Sequence, residues 1–232
     1  MERMILACAD PSARDHSAVV EWAREEARLR RLPMRVVLCP RPEAGMTHIV
    51  VCAMPWEAAA DGRPLDSCLP PAGGVPDRPL VAVPDGPASS CRSGKVLLGV
   101  DARDPSDSAI RFAFDSARIR GARLHVVHAW ALPSDAAAWP FDVPERERAT
   151  WEDHEVQLLA DVLRPWREKY PEVAVQEDVL LLEPAQALLH HGEHAALVVV
   201  GGKPGTEWGE VVPALLREAT HPVAVVPTRA QA

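Results

Sequence analysis

The chain has no apolar run approaching the roughly 18 residues that a membrane-spanning helix requires. Its opening segment, "MERMILACAD", carries a six-residue apolar stretch that ends on an aspartate, too short for a secretion-signal core. A cytoplasmic protein without a membrane partner is expected. Positive charge is also scarce: 25 Lys and Arg face 33 Asp and Glu, a net charge of −8. Nucleic-acid binding needs a concentrated basic face. The arginines of "REEARLRR" (24–31) are interrupted by acidic and apolar residues and read as a solvated helix face. Five cysteines, an odd number, include no C-x-x-C pair. Cys8, Cys39 and Cys52 end apolar runs, either as small buried side chains or as thiols gathered at one sheet edge, and Cys68 and Cys91 carry no pattern. G-x-S-x-G, a complete P-loop and a cysteine with a placed histidine partner are all missing, so no catalytic residue is assigned.

What is present is self-similarity. Residues 21–39 lie over residues 111–129 at a constant offset of 90, with identities at Ala23/Ala113, Ala27/Ala117, Arg28/Arg118, Arg30/Arg120, Val36/Val126 and Val37/Val127. Just upstream the offset is 91, which superposes Asp10 on Asp101. "IVVCAMPWE" parallels "VVVGGKPGT" at an offset of 149, and "RPLVAVP" parallels "HPVAVVP" at 143. Going from an offset of 90 to one of 149 makes the middle of the first copy 59 residues shorter. The expected organisation is a shortened first domain over 1–84, a linker over 85–94 ("DGPASSCRSG"), and a fuller domain over 95–232.

The second copy alternates strands with helices. Strands are expected at 96–101, 124–130, 173–181, 196–201 and 223–226. Helices are expected at 108–120 (closed by Gly121), 150–169 (kinked at Pro165), 184–191 and 209–219. Val156, Leu159, Leu163 and Trp166 are placed on the apolar side of the second of these. The first copy keeps strand, helix (13–31), strand, strand, strand. Alternation of this kind means a parallel sheet with right-handed crossovers.

The stretches "VLLGVDARDPSDSAIRFAFDSARIRGARLHVVHAW", "EPAQALLHHGEHAALVVVG" and "HPVAVVP" resemble a universal stress protein domain, well over 95–227 and in shortened form over 1–84. The resemblance implies two doubly wound α/β domains, the second a five-stranded parallel sheet in the order 3-2-1-4-5, the first cut to about four strands in the order 2-1-4-5. It also implies pairing through the last strand of each domain, an intramolecular pseudo-dimer, and leaves open a homodimer or another protein partner. Some members of the family bind ATP and others do not. The binding residues carry over as Asp101 for the adenosine part, Val127 for the base pocket, and a glycine loop, G-x-x-G-x9-G-(S/T), for the phosphates.

The loop departs from that pattern. Gly201 or Gly202 opens it, Gly202 to Gly205 has the proper spacing, and Gly209 follows after three residues instead of nine, with Glu210 at the hydroxyl position. Pro204 removes a donor. Lys203 offers only partial compensation. The expectation is a non-enzymatic stress-response protein with no firmly bound cofactor. ATP or AMP held weakly in the second domain is the alternative, and a weak ATPase a more distant one.

Three further readings stay at the level of residue chemistry. Asp101 either contacts a ligand or caps the loop into the next helix. "HHGEH" (190–194) is not expected to bind metal, because Gly192 breaks the helix between the histidines. His125 and His128, three apart on a strand, point to opposite faces, and His128 is expected to line the cleft.

Overall fold

The computed structural model describes residues 4–9, 17–38, 47–54, 78–84, 94–132, 143–202 and 209–228. The elements in chain order are β1 (Met4–Ala9), α1 (Ser17–Arg30), β2 (Met34–Leu38), β3 (Thr47–Ala53), β4 (Leu80–Val83), β5 (Val96–Gly99), α2 (Asp107–Arg120), β6 (Leu124–Ala129), α3 (Glu145–Lys169), β7 (Val175–Leu180), α4 (Pro184–His191), β8 (Leu197–Gly202), α5 (Val211–Glu218) and β9 (Val223–Pro227). The described strands form one sheet in the order β2-β1-β3-β4-β9-β8-β5-β6-β7. Every neighbouring pair is parallel except β4 with β9. From β9 to β7 the order is that expected of residues 95–232, and from β2 to β4 that expected of residues 1–84.

Strand β5 shows why the central run is apolar throughout. Val96 and Leu98 face a core layer built with α1, α2 and α3, while Leu97 faces the opposite layer with α4 and α5. All three are fully buried. A strand covered on both faces has no polar side to show in its sequence. Helix α2 is bounded by Ser106, whose hydroxyl accepts from the Ala109 amide, and by Gly121 at φ 60°. That left-handed conformation suits glycine because it has no Cβ.

The seam between β4 and β9 pairs Leu80 with Val225, Val81 with Ala224 and Ala82 with Val223. The offset of 143 carries Leu80 to Val223, Val81 to Ala224 and Ala82 to Val225, so the pairing maps onto itself. Behind the seam, α1 and α2 meet in the same reciprocal way. The Arg30 guanidinium lies 4.9 Å from the Phe112 ring, and its counterpart Arg120 lies 5.8 Å from the ring of Trp22, the counterpart of Phe112. Glu26, fully buried, accepts from both Arg30 (2.6 Å) and Arg120, and Arg30 also donates to the Ser116 hydroxyl at 3.0 Å.

Most boundaries move by one or two residues from expectation, as helix and strand ends do. Helix α3 is a larger correction. It begins at Glu145, five residues early, because the "ERER" run supplies acidic residues to its first turn. It continues through Pro165. Val156 is not on its apolar side but exposed, and Glu155 is buried beside Leu159 and Leu163. None of the described helices is long and apolar enough to cross a membrane.

Candidate functional site

Between β5 and β8 the chain switches the direction in which it lays down strands, and crevices open at such points beyond the carboxyl ends of parallel strands. A cleft of about 740 Å³ lies there, within the size range of small-molecule sites. Its floor is Gly99, Val100, Val127, Ala129 and Val200. Its walls are Trp130, Leu132, Leu181, Leu182, Leu188, Val211 and Val212. The charged side chains at its edge are Asp101, Arg103 and Glu183. Leu181 and Leu182 remain 39% and 46% exposed, so the apolar lining extends to the mouth.

Two glycines of the lining stand close against neighbouring side chains. A Cβ on Gly99 would stand 2.7 Å from Leu188 Cδ1, and one on Gly201 would stand 3.1 Å from Ser106 Cβ. Neighbouring side chains already occupy the space a larger residue would need.

Of the residues anticipated from sequence, Asp101, Val127 and Gly201 line the cleft together. Asp101 is exposed and its Oδ1 accepts from the Arg103 amide at 2.9 Å, which closes the turn leading to α2. Gly202 ends β8, and its carbonyl accepts from both the amide and the hydroxyl of Thr228 at 2.7 Å. Gly209 is exposed just ahead of α5, with nothing within 4 Å of where a Cβ would be. Glu210 is exposed at the N-cap of α5 and its side chain makes no capping bond. Gly205, Lys203 and Pro204 lie outside the described residues, as do Asp10, Cys39, Cys68 and Cys91. Cys8 and Cys52 are buried.

His128 does not line the cleft. It is 1% exposed, on the face of β6 that meets α3. Its Nδ1 lies 3.2 Å from the Val100 carbonyl and 3.4 Å from the Ala102 amide, and its Nε2 lies 3.0 Å from Glu155 Oε2. The other oxygen of Glu155 takes the guanidinium of Arg103, which stands at the cleft edge. This line of three groups ties the loop after β5 to α3. Glu155 and Arg103 carried no sequence signal, because a glutamate in a charged helix reads as solvated.

The opposite face of β6 gathers a second cluster. His125 Nε2 donates to Asp178 Oδ2 at 2.6 Å, and His191 Nδ1 stands 3.7 Å from the same oxygen. Burial, and then the neighbouring His125, hold the His191 imidazole below its ordinary range, against the opposing pull of Asp178. The expectation of opposite faces for His125 and His128 agrees with this geometry. No metal ligand was anticipated from sequence; the structure brings three potential ligands together from β6, β7 and α4.

A doubly wound α/β protein with a ligand-sized cleft at the carboxyl edge of its strands is the class these observations define. Residues 93–227, more than half of the chain, match the universal stress protein family, and the chain belongs to that family. It is 39% identical over 142 residues to a universal stress protein of Mycolicibacterium smegmatis, covering 58% of this chain and 46% of that one. To a universal stress protein of Mycobacterium bovis it is 35% identical over 158 residues, covering 63% and 48%. The chain thus spans about half the length of the curated relatives it matches. The crystal structure of a universal stress protein from Archaeoglobus fulgidus is similar over 97% of this chain and 98% of its own, with a TM-score of 0.56 at 13% identity. That likeness extends the shared fold to the N-terminal residues.

Proposed function

We propose that the protein is a non-enzymatic stress-response protein built from two related units, residues 1–84 and 95–232, in which only the second holds a small ligand. The reading rests on the cleft. Its apolar walls suit a flat base or another apolar body, and Asp101 at the edge suits a pair of sugar hydroxyls. No lining residue is a nucleophile with a hydrogen-bonded base among the described residues, so binding rather than turnover fits the site. The reciprocal contacts across β4–β9 and between α1 and α2 support an internal pseudo-dimer, since a two-fold interface places the same patch on both sides.

The ligand best matched to the cleft is an adenosine-type molecule with at most one phosphate. A triphosphate would extend toward the shortened glycine loop and the Glu210 carboxylate. Losing about 4 kcal/mol of phosphate binding takes a micromolar site to roughly millimolar. The test is to denature the purified protein, extract it, and identify any released nucleotide by mass spectrometry, followed by calorimetry with adenosine, AMP and ATP. Weak AMP or adenosine binding that Asp101→Asn removes, with no ATP binding at micromolar concentration, is expected. Stoichiometric co-purified ATP would replace this reading with that of a nucleotide sensor.

A further inference from the structure

We propose that His125, Asp178 and His191 form a binding site for one divalent transition-metal ion of the zinc type. The three come from β6, β7 and α4, and one ligand atom of each lies within 4.8 Å of the others. Zinc holds imidazole nitrogen and carboxylate oxygen at about 2.0–2.2 Å, which sets tetrahedral ligand atoms about 3.4 Å apart. The observed 2.6 Å and 3.7 Å separations from Asp178 Oδ2 bracket that value, and the third separation is at most 4.8 Å, so side-chain adjustments on the order of 1 Å would complete the site. Asp178 and His191 have side chains 28% and 23% exposed and are free to make them. The same exposure leaves the remaining position to water. Two imidazoles and one carboxylate favour a borderline ion over calcium or magnesium.

A histidine–aspartate hydrogen bond alone accounts for only two of the three residues. His191 directs Nδ1 at the same carboxylate oxygen, yet stands beyond hydrogen-bond reach. His125 is 2% exposed, its Nδ1 has no hydrogen-bond partner, and its side-chain hydrogen bond runs through Nε2 into the cluster. His125 Nε2 and His191 Nδ1 thus converge on the same Asp178 oxygen from two different elements.

An ion here would fix the C-terminal end of α4 to β6 and β7. Leu188, one turn before His191, is a wall of the cleft. The site therefore braces the cleft from behind, without touching its contents.

Chelator-treated protein is titrated with Co²⁺ and, separately, with Zn²⁺. The expected result is one equivalent per chain, visible d–d absorption without a thiolate charge-transfer band, and a Zn²⁺-dependent rise in Tm. His191→Ala and Asp178→Asn, at partly exposed positions and checked for folding by circular dichroism, should each weaken Zn²⁺ binding by at least about ten-fold. Failure to take up one equivalent, a thiolate band, or a loss confined to one of the two variants would overturn the three-ligand site.

Discussion

The strand order β2-β1-β3-β4 runs parallel to β6-β5-β8-β9, and the two sets differ where the second borders the cleft. Between β6 and β8 lie α3, β7 and α4, whereas β2 and β3 are separated only by residues 39–46. The consequence is visible at matched positions. Val126 on β6 is fully buried, and Val36, its counterpart on the edge strand β2, is 46% exposed. Gly99 makes room for Leu188 of α4, while the first half, which shows no counterpart of α4 among its described residues, carries Cys8 there. Gly201 and Gly202 match Cys52 and Ala53. Gly99 and Gly201 each stand against a neighbouring side chain in the second half, and the matched positions in the first half carry a side chain of their own. What both halves retain is the surface by which they meet.

The largest expected effect breaks that shared surface. Val225 is 1% exposed and pairs with Leu80 at the seam. Val225→Lys buries an unpaired ammonium and overpacks the core, a combination that exceeds about 4 kcal/mol. Aggregation or loss of the folded chain is expected in size-exclusion chromatography. An unchanged Tm would mean that the halves do not meet through β4 and β9.

Next comes the Glu26 carboxylate, shared by Arg30 and Arg120, whose side chains are only 10% and 9% exposed. Removing one member of a buried ion group leaves the others uncompensated and costs about 3–5 kcal/mol. Glu26→Gln should therefore lower urea stability by that order. Glu25→Gln, one residue away in an exposed pair with Arg28, should cost less than about 1 kcal/mol. Equal effects would show that α1 and α2 do not share a buried ion cluster.

The contrast between Glu25 and Glu26 illustrates how much was legible in the sequence. Internal repetition and continuous apolar runs disclosed the alternation of strands and helices, whereas the strand order came from the resemblance to universal stress proteins, because hydropathy does not say which strands lie side by side. Asp101, Val127 and Gly201 were placed by matching the family's binding motif to this sequence. Burial of Glu26, Glu155 and His128 was not legible, since a charged residue in a helix or at a strand end looks the same whether its partner is water or a side chain 27 to 94 residues away. The start of α3 was hidden for a related reason: its first turns are exposed on most sides and have no apolar period. The triad of His125, Asp178 and His191 has no spacing rule, because three separate elements supply it.

A smaller effect separates His221 from Arg78, which occupies the matched place before β4. His221 is 5% exposed, neither ring nitrogen has a partner, and burial, with Lys95 adding to it, lowers its pKa to about 4. An unfolded histidine titrates near 6.5. The unfolded chain therefore binds more protons between those values, and stability falls as pH drops from 6.5 towards 4. The shift corresponds to a loss of about 3 kcal/mol. Urea melts at pH 7 and pH 4.5 should show this loss in the wild type and a clearly shallower one in His221→Gln. Parallel pH profiles would mean that His221 is solvated.

The smallest effect sits at the ends of the two matched helices and tests the repeat most directly. Gly121 donates to Arg118 O at 3.1 Å, and Ala122 to Ala117 O at 3.0 Å. Ninety residues earlier, Arg31 donates to Arg28 O at 3.2 Å, and Leu32 to Ala27 O at 2.9 Å. The two caps share one geometry, and Arg31 holds φ 54° where Gly121 holds φ 60°. A residue with a Cβ costs about 1–2 kcal/mol in that left-handed conformation, while glycine gives back roughly 0.5–1 kcal/mol through the freedom of its unfolded state. Arg31→Gly should thus stabilise the chain by about 0.5–1 kcal/mol, and Gly121→Ala should destabilise it by a similar amount. Because Arg31 is exposed, its side chain contributes little to either figure. If Arg31→Gly is neutral or destabilising while Gly121→Ala behaves as expected, the first helix does not end in the conformation of the second, and the equivalence of the two halves fails at its most local point.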